Sequence, residues 1–329
     1  MSTIPILSVV IPLHNKEAEI SRALHSIIAQ TFDDFEIIVI DDGSTDLGPE
    51  IVREWRDVRI RLISQDNAGV SAARNRGITE AQAKLIAFLD ADDEWSPDFL
   101  ETVVGLHRRF PHCGVYATSY TFRYAGRPGR PAILKGFSGD LQEGILADYF
   151  TIACRSDPPL WTSAVVVTKN ALLEVGGFPV GIIAGEDLLL WARLAVRFSI
   201  AYSPTPLSFY WEPMAITDRP PRHPQVPDQV AEGLQNLRKS FPPERVNDLD
   251  RYLGLWHRMR GVTYLKMNRG AEAREEFRSA LRNESCSARI MIHWMLTLLP
   301  GQLPAKSQIT LSIMIDLFRS FTAGNARRQ

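Results

Sequence analysis

Four short apolar runs punctuate the first third of the chain, and each closes in polar residues: LSVVIPLHN (7–15), FEIIVIDDGS (35–44), VRIRLISQDN (58–67) and LIAFLDADD (85–93). In the first, second and fourth, Val, Ile and Leu follow one another with little alternation. That pattern suits strands covered on both faces, as in a parallel α/β sheet. Between the runs the period changes. In NKEAEISRALHSIIAQ, Ile20, Ala23, Leu24, Ile27 and Ile28 recur at helical spacing, with Asn15 as N-cap. SAARNRGITEAQA opens on Ser71, and SPDFLETVVGLHRRF carries Ser96 before Pro97, a cap-then-proline start. The order β-α-β-α-β-α-β-α predicts an α/β fold with a doubly wound, mostly parallel sheet flanked by helices.

The stretch from about 112 to 182 is less regular. RYAGRPGRPAILKGFSG (123–139) reads as a loop or lid. AVVVT is strand-like, ALLEV is a short helix, and Gly176 and Gly177 stop it. GEDLLLWARLAVRF is a helix with Glu186 and Asp187 in its first turn, where the dipole favours acids. A Pro-rich stretch, PMAITDRPPRHPQVP (213–227), reads as a linker, and a helical region follows. The expected division is an α/β domain over 1–215, a linker over 216–227 and a helical region over 228–329. Near 253–282 the helical region resembles a tetratricopeptide hairpin: Gly261, Tyr264, Ala273 and Phe277 fit the spacing, and Trp256 is one position off. Apolar helices are expected over 288–321, with Arg327 and Arg328 beyond them.

Composition narrows the function. Lys and Arg number 37 against 38 Asp and Glu in 329 residues, which gives no global electrostatic case for nucleic acid. Cys113, Cys154 and Cys286 make no CxxC pair and no disulfide framework, so a reducing cytosol is the simpler compartment. The opening MSTIPILSVVIPLHN lacks a basic n-region and is broken by Pro5 and Pro12, unlike a signal peptide. No apolar run reaches the roughly 18 residues of a spanning helix. The expectation is a cytoplasmic protein, with peripheral contact at the inner face of the plasma membrane left open.

The strand ends carry the chemistry: His14 and Asn15; Asp41 and Asp42; Gln65, Asp66 and Asn67; Asp90 to Asp93. Open parallel sheets bind ligands beyond the carboxyl ends of their strands. Carboxylates crowded as in LDADDEW repel one another and are costly to bury unpaired. Either that end is solvated or something positive sits there. Clustered carboxylates suit a hard cation, Mn²⁺ or Mg²⁺, which bridges them to a substrate phosphate. No GxxxxGK[ST] and no GxGxxG follow the strands, so neither a P-loop NTPase nor a dinucleotide dehydrogenase is supported.

The strings SVVIPLHN, VIDDGSTD, NAGVSAARNRGI, AFLDADDEW and GGF…GEDLLLWARL, in this order, resemble family 2 glycosyltransferases of the GT-A fold, over roughly residues 5–212. The resemblance implies roles residue by residue. Asp42 would accept from the nucleobase, with Asp41 in support. Pro12, His14 and Asn15 would pack at base and ribose. Asn67, Gly69 and Arg74 would line the nucleotide pocket. Asp90 and Asp92 would form the DxD, with Asp92 on the metal and Asp90 at the ribose or the metal's shell; Asp93 is not expected as a ligand. Asp187 would be the general base, with Trp95, Trp161 and Glu186 near the sugar or acceptor. Bland readings stand beside these: a Asp-Gly-Ser turn for 42–44, a helix cap for Asp187, and core packing for Trp161, Trp191 and Trp211.

The implied activity is inverting, metal-dependent transfer of one sugar from a nucleotide-diphosphate donor, a UDP-sugar first, to a hydroxyl of a glycan or lipid-linked acceptor. Surface polysaccharide or glycoconjugate assembly is the expected setting. The QxxRW signature of processive relatives is absent, since the chain runs SFYWEPMAITDR there. The alternative is a catalytically weak nucleotide-sugar binder whose helical tail recruits a partner. The C-terminal helices would serve a membrane surface or a homodimer, or simply pack.

Overall fold

In chain order the first part of the protein runs β1 (Leu7–Leu13), α1 (Ile20–Ile28), β2 (Phe35–Asp42), α2 (Gly48–Glu54), β3 (Ile60–Gln65), α3 (Val70–Glu80) and β4 (Leu85–Phe88). Next come β5 (Glu94–Trp95), α4 (Phe99–Arg109), β6 (Val115–Tyr124), β7 (Arg127–Pro131), β8 (Gly144–Ile145) and α5 (Tyr149–Arg155). The series closes with β9 (Val165–Thr168), α6 (Lys169–Val175), α7 (Glu186–Arg197) and β10 (Ile200–Glu212). This is a computed structural model, and it describes residues 4–135, 143–212, 223–283 and 288–297. The chain divides into two units, Met1–Arg222 and His223–Gln329.

The first unit is built on one mixed sheet in the order β3-β2-β1-β4-β9-β6-β10-β5, with β7 on β6 and β8 on β10. Strands β3, β2, β1 and β4 are parallel, and β9 runs antiparallel to both β4 and β6. The apolar runs of β1, β2 and β4 are buried along their length, as their lack of alternation implies. β3 is an edge strand and only half buried, which accounts for its mixed composition. The apolar stripe of α1 (Ile20, Ala23, Leu24 and Ile27) is fully buried against the sheet. Each such side chain contributes about 1.5–3 kcal/mol. Helix α3 lies directly on β1: a Cβ at Gly77 would sit 2.2 Å from Val10 Cγ1.

Three helix starts differ from the sequence reading. Asn15 does not cap α1, which begins at Ile20; it sits at φ 52° and accepts from Thr45 N at 2.8 Å. Helix α3 begins at Val70, so Ser71 is inside it and buried. Ser96 donates to the Asp98 carboxylate at 2.7 Å, and α4 begins at Phe99. The Gly/Pro/Arg-rich stretch is also more ordered than a loop, since Arg127–Pro131 pairs with β6. The remainder of that stretch, 136–139, lies outside the described residues, as do 213–222 of the linker, Cys286 and the tail from 298 on.

The second unit contains α8 (Gln229–Leu237), α9 (Val246–Lys266), α10 (Gly270–Asn283) and α11 (Ala288–Leu296). Tyr264, Ala273, Phe277, Ala280 and Ile290 form its core, with Gly261 against the Phe277 ring. Trp256 misses the tetratricopeptide position because it serves another contact. Its indole donates to both oxygens of Asp228, at 3.1 and 3.0 Å, and Asp228 caps α8. Arg260 Nε donates to Glu276 at 2.7 Å and lies 3.1 Å from Asp228; His257 meets Glu276 at 2.8 Å. Asp228, His257 and Glu276 are close enough together to ligate a metal, but the Arg260 guanidinium already stands between the two carboxylates. Among the described residues no helix is long and apolar enough to cross a membrane.

Burial pushes the Glu276 carboxyl up, but the bonds from His257 and Arg260 outweigh it and hold it below its ordinary value. A depressed carboxyl stabilises the fold above its unfolded pKa, and that stability is lost as pH falls through the folded one. Glu276→Gln is therefore expected to cost about 2 kcal/mol at pH 7. The difference from wild type should shrink below about pH 4. Denaturant titrations of the full chain at the two pH values, followed by helical circular dichroism, check this.

Candidate functional site at the strand ends

β1 lies between β2 and β4, so the strand order reverses there and a crevice opens at the carboxyl ends. Three loops meet at it. Asp41 accepts from Ser44 N at 2.9 Å and closes the turn after β2. Gly43 sits at φ 68°, and a Cβ there would lie 2.9 Å from Asn67 N, so only glycine lets the loops after β2 and β3 touch. Asp42, 2% exposed, accepts from Gln65 Nε2, Ala68 N and Gly69 N at 2.7, 2.9 and 2.8 Å. Both of its oxygens bind the loop that starts α3. His14 Nδ1 lies 2.9 Å from the Asp42 carbonyl and 3.2 Å from Asn67 Nδ2. Asn15, in the left-handed region, binds the 44–45 turn through its backbone N and its side-chain oxygen. A non-glycine residue held there marks a loop fixed by its surroundings. Pro12 is on β1, half buried.

The acidic end of β4 resolves into three different carboxylates. Asp90 accepts from Arg74 Nη2 at 2.7 Å, and its backbone N donates to Ser163 Oγ. Arg74 is 4% exposed, stands 3.6 Å from the buried Glu186, and covers the Phe178 ring at 4.9 Å. Burial lowers its pKa, but Asp90, then Glu186 and Asp187, outweigh this and raise it. Asp92 pairs with Lys16 Nζ at 2.8 Å, with the two side chains 39% and 37% exposed. Arg22 Nη2 donates to the Asp92 carbonyl. Asp93 is buried and accepts from Ser163 Oγ, Trp161 Nε1 and Trp211 N at 2.6, 3.3 and 3.2 Å. Burial, then repulsion from Asp92 and Asp90, pushes its carboxyl well above the usual range. Asp93 thus ties the loop to β10.

Something positive does sit at this end: Arg74 on Asp90 and Lys16 on Asp92. Lys16, Arg22 and Ser163 escape sequence reasoning, because only the fold brings positions 16 and 92 together. A basic residue immediately after a polar strand end was the available signal. Asp90 Oδ2 and Asp92 Oδ1 accept no hydrogen bond from the described residues. They are the hard oxygen donors a divalent cation would use.

Other assigned residues fall differently. Trp95, expected near the sugar, is in the core: it stacks on Phe99 at 4.3 Å and donates to the Ser163 carbonyl. Glu186, expected near the acceptor, is buried in the Arg74 network. Asp187 is half buried in the first turn of α7, behind Gly185 in the left-handed region, and accepts from Leu188 N at 2.7 Å. Gly69 is the N-cap of α3, held by Asp42. Trp161 is half buried and stacks on Tyr120 and against Tyr210. Trp191 is core, and Trp211 lies under the Arg22 guanidinium.

The chain is similar to known glycosyltransferases in sequence and in fold. Residues 8–159 match the sequence model of Glycosyl transferase family 2. An uncharacterized glycosyltransferase, YibD of Escherichia coli (strain K12), is 47% identical over 100 residues, 30% of this chain and 29% of that protein. The chain spans under a third of the length of the curated relatives it matches. The crystal structure of S. aureus TarS 1-349 in complex with UDP-GlcNAc superposes with a TM-score of 0.64 at 17% identity, covering 97% of this chain and 92% of that one. The mannosyltransferase PcManGT of Pyrobaculum calidifontis, in complex with GDP-Man and Mn2+, gives 0.55 at 18% identity, covering 95% and 85%. These structures share the GT-A fold with this chain.

Arg74 is buried and pairs with both Asp90 and Glu186, so Arg74→Ala removes both pairs and should cost about 3–5 kcal/mol. Lys16→Ala breaks a solvated pair and should cost no more than about 1 kcal/mol. Urea denaturation of both variants tests the contrast; a loss for Arg74→Ala as small as that for Lys16→Ala would contradict it.

Proposed function

We propose that this chain, which carries a family 2 glycosyltransferase domain of GT-A fold, transfers one sugar from a nucleotide-diphosphate donor to an acceptor hydroxyl with inversion. One observation carries the reading. The Asp90–Asp92 pair stands beyond the carboxyl ends of β1 and β4, linked through Arg74 to the first turn of α7, where Asp187 sits. This link supports a reading in which donor and base share one crevice.

The loops of Pro12, His14, Asn15, Asn67 and Gly69 would hold the nucleotide. Asp42, which also fixes that loop, would accept from the nucleobase with its remaining lone pair. Asp92, with Asp90, would hold Mn²⁺ or Mg²⁺, and the cation would supply Lewis-acid charge to the leaving diphosphate. The TarS and PcManGT complexes, holding UDP-GlcNAc and GDP-Man with Mn2+, support a nucleotide sugar and a divalent cation here. A UDP-sugar is the donor we favour. Asp187 would accept the proton of the attacking hydroxyl. In-line displacement at the anomeric carbon breaks the sugar–phosphate bond as the new glycosidic bond forms, so one base suffices. Trp161, which donates to Asp93, would pack against a glycan or lipid-linked acceptor. The setting we favour is assembly of a surface polysaccharide or glycoconjugate.

Nucleotide release from UDP-, GDP- and dTDP-sugars, with Mn²⁺, Mg²⁺ or EDTA, tests this. Asp92→Ala should lower release by about 100-fold with an unchanged melting curve; full activity would sink the assignment. Asp187→Asn should lower transfer to an acceptor by about 10²–10⁴-fold while donor binding persists, and undiminished transfer would remove Asp187 as the base.

A further inference from the structure

The two cations at the acidic strand end are not equivalent. Arg74 is enclosed, bound on two sides and fixed over an aromatic ring. Lys16 reaches Asp92 from the loop after β1, and its side chain is 37% exposed. An ion pair this open is held weakly and separates readily. Asp92 itself is anchored independently of Lys16, because Arg22 binds its backbone carbonyl. Lysine carries a compact charge on a flexible four-carbon stem, suited to changing partners, and it binds phosphate as a point charge.

A divalent cation on Asp92 would bring two positive charges against the Lys16 ammonium at contact distance. Lys16 must then leave, and the nearest new anion would be the diphosphate that the cation carries. We propose that Lys16 is a displaceable counter-ion and positioning residue: it neutralises Asp92 before the donor binds, cedes Asp92 to the divalent cation, and then pairs with the donor's diphosphate. This rests on the donor-site reading of the crevice. It makes cation and diphosphate bind cooperatively, since each relieves a charge the other would leave exposed.

The test uses the full chain, with Mn²⁺ followed by electron paramagnetic resonance and inorganic pyrophosphate as the diphosphate probe. In Lys16→Gln, Mn²⁺ alone should bind about tenfold more tightly than in wild type. Pyrophosphate at saturating Mn²⁺ should bind about tenfold more weakly. Lys16→Arg keeps the charge and should keep the wild-type Mn²⁺ affinity. Unchanged or weaker Mn²⁺ binding in Lys16→Gln overturns the proposal, as does tightening in Lys16→Arg equal to that in Lys16→Gln. Undiminished pyrophosphate binding in Lys16→Gln overturns the hand-over. If wild type binds neither probe, the donor-site reading fails; if it binds both and Lys16→Gln matches it, the donor-site reading stands and only this inference fails.

Discussion

The guanidinium of Arg74 decides how this crevice can exist. It projects from α3, pairs with Asp90 at the end of β4 and stands 3.6 Å from Glu186 at the start of α7. Without it, the buried Glu186 and the partly exposed Asp90 would both lose a cation that neutralises them. With it, the acidic strand end and the first turn of α7 share one buried cation. Helix α3 in turn packs closely on β1 at Gly77, and Asp42 binds the backbone just before it. The sheet, the loop after β3 and the helix carrying Asp187 are thereby placed by one charge.

Around that fixed centre the same residue type does three jobs. Asp42 and Asp93 are buried and bind backbone N–H groups of neighbouring elements, which makes them ties between loops and strands. Asp90 is clamped by Arg74 on one oxygen. Asp92 is the more open of the two, paired with a cation that can leave. Burial and the competing donors, not position in the DADD string, separate the structural acids from those able to meet a ligand.

Much of this was legible in the sequence. Unalternating runs became the parallel strands β1, β2 and β4; Gly176, in the left-handed region, ends α6 as a glycine stop should; and GEDLLLWARL opens α7. Strand ends that read as polar do meet at one crevice. What periodicity could not supply was pairing across long separations. Lys16 and Asp92 are 76 residues apart, and Arg74 and Glu186 further still. Trp95 beside the acids looked like a site residue; pairing of β5 with β10 turns its ring inward onto Phe99. Asn15 looked like a helix cap, but its oxygen is taken by the turn after β2, a contact only the parallel register of β1 and β2 creates. In the second unit the displaced Trp256 is explained the same way, by an acceptor, Asp228, that the helical spacing does not reveal.

The central claim is that the crevice at the ends of β1 and β4 binds a nucleotide diphosphate sugar together with a divalent cation. Calorimetric titration of UDP-, GDP- and dTDP-sugars into the full chain, once with Mn²⁺ and once with EDTA, tests it most directly. The account predicts that one nucleotide class binds with Mn²⁺ and loses about tenfold or more of its affinity in EDTA. Equal affinity in EDTA, or no binding of any donor with Mn²⁺ present, would contradict it.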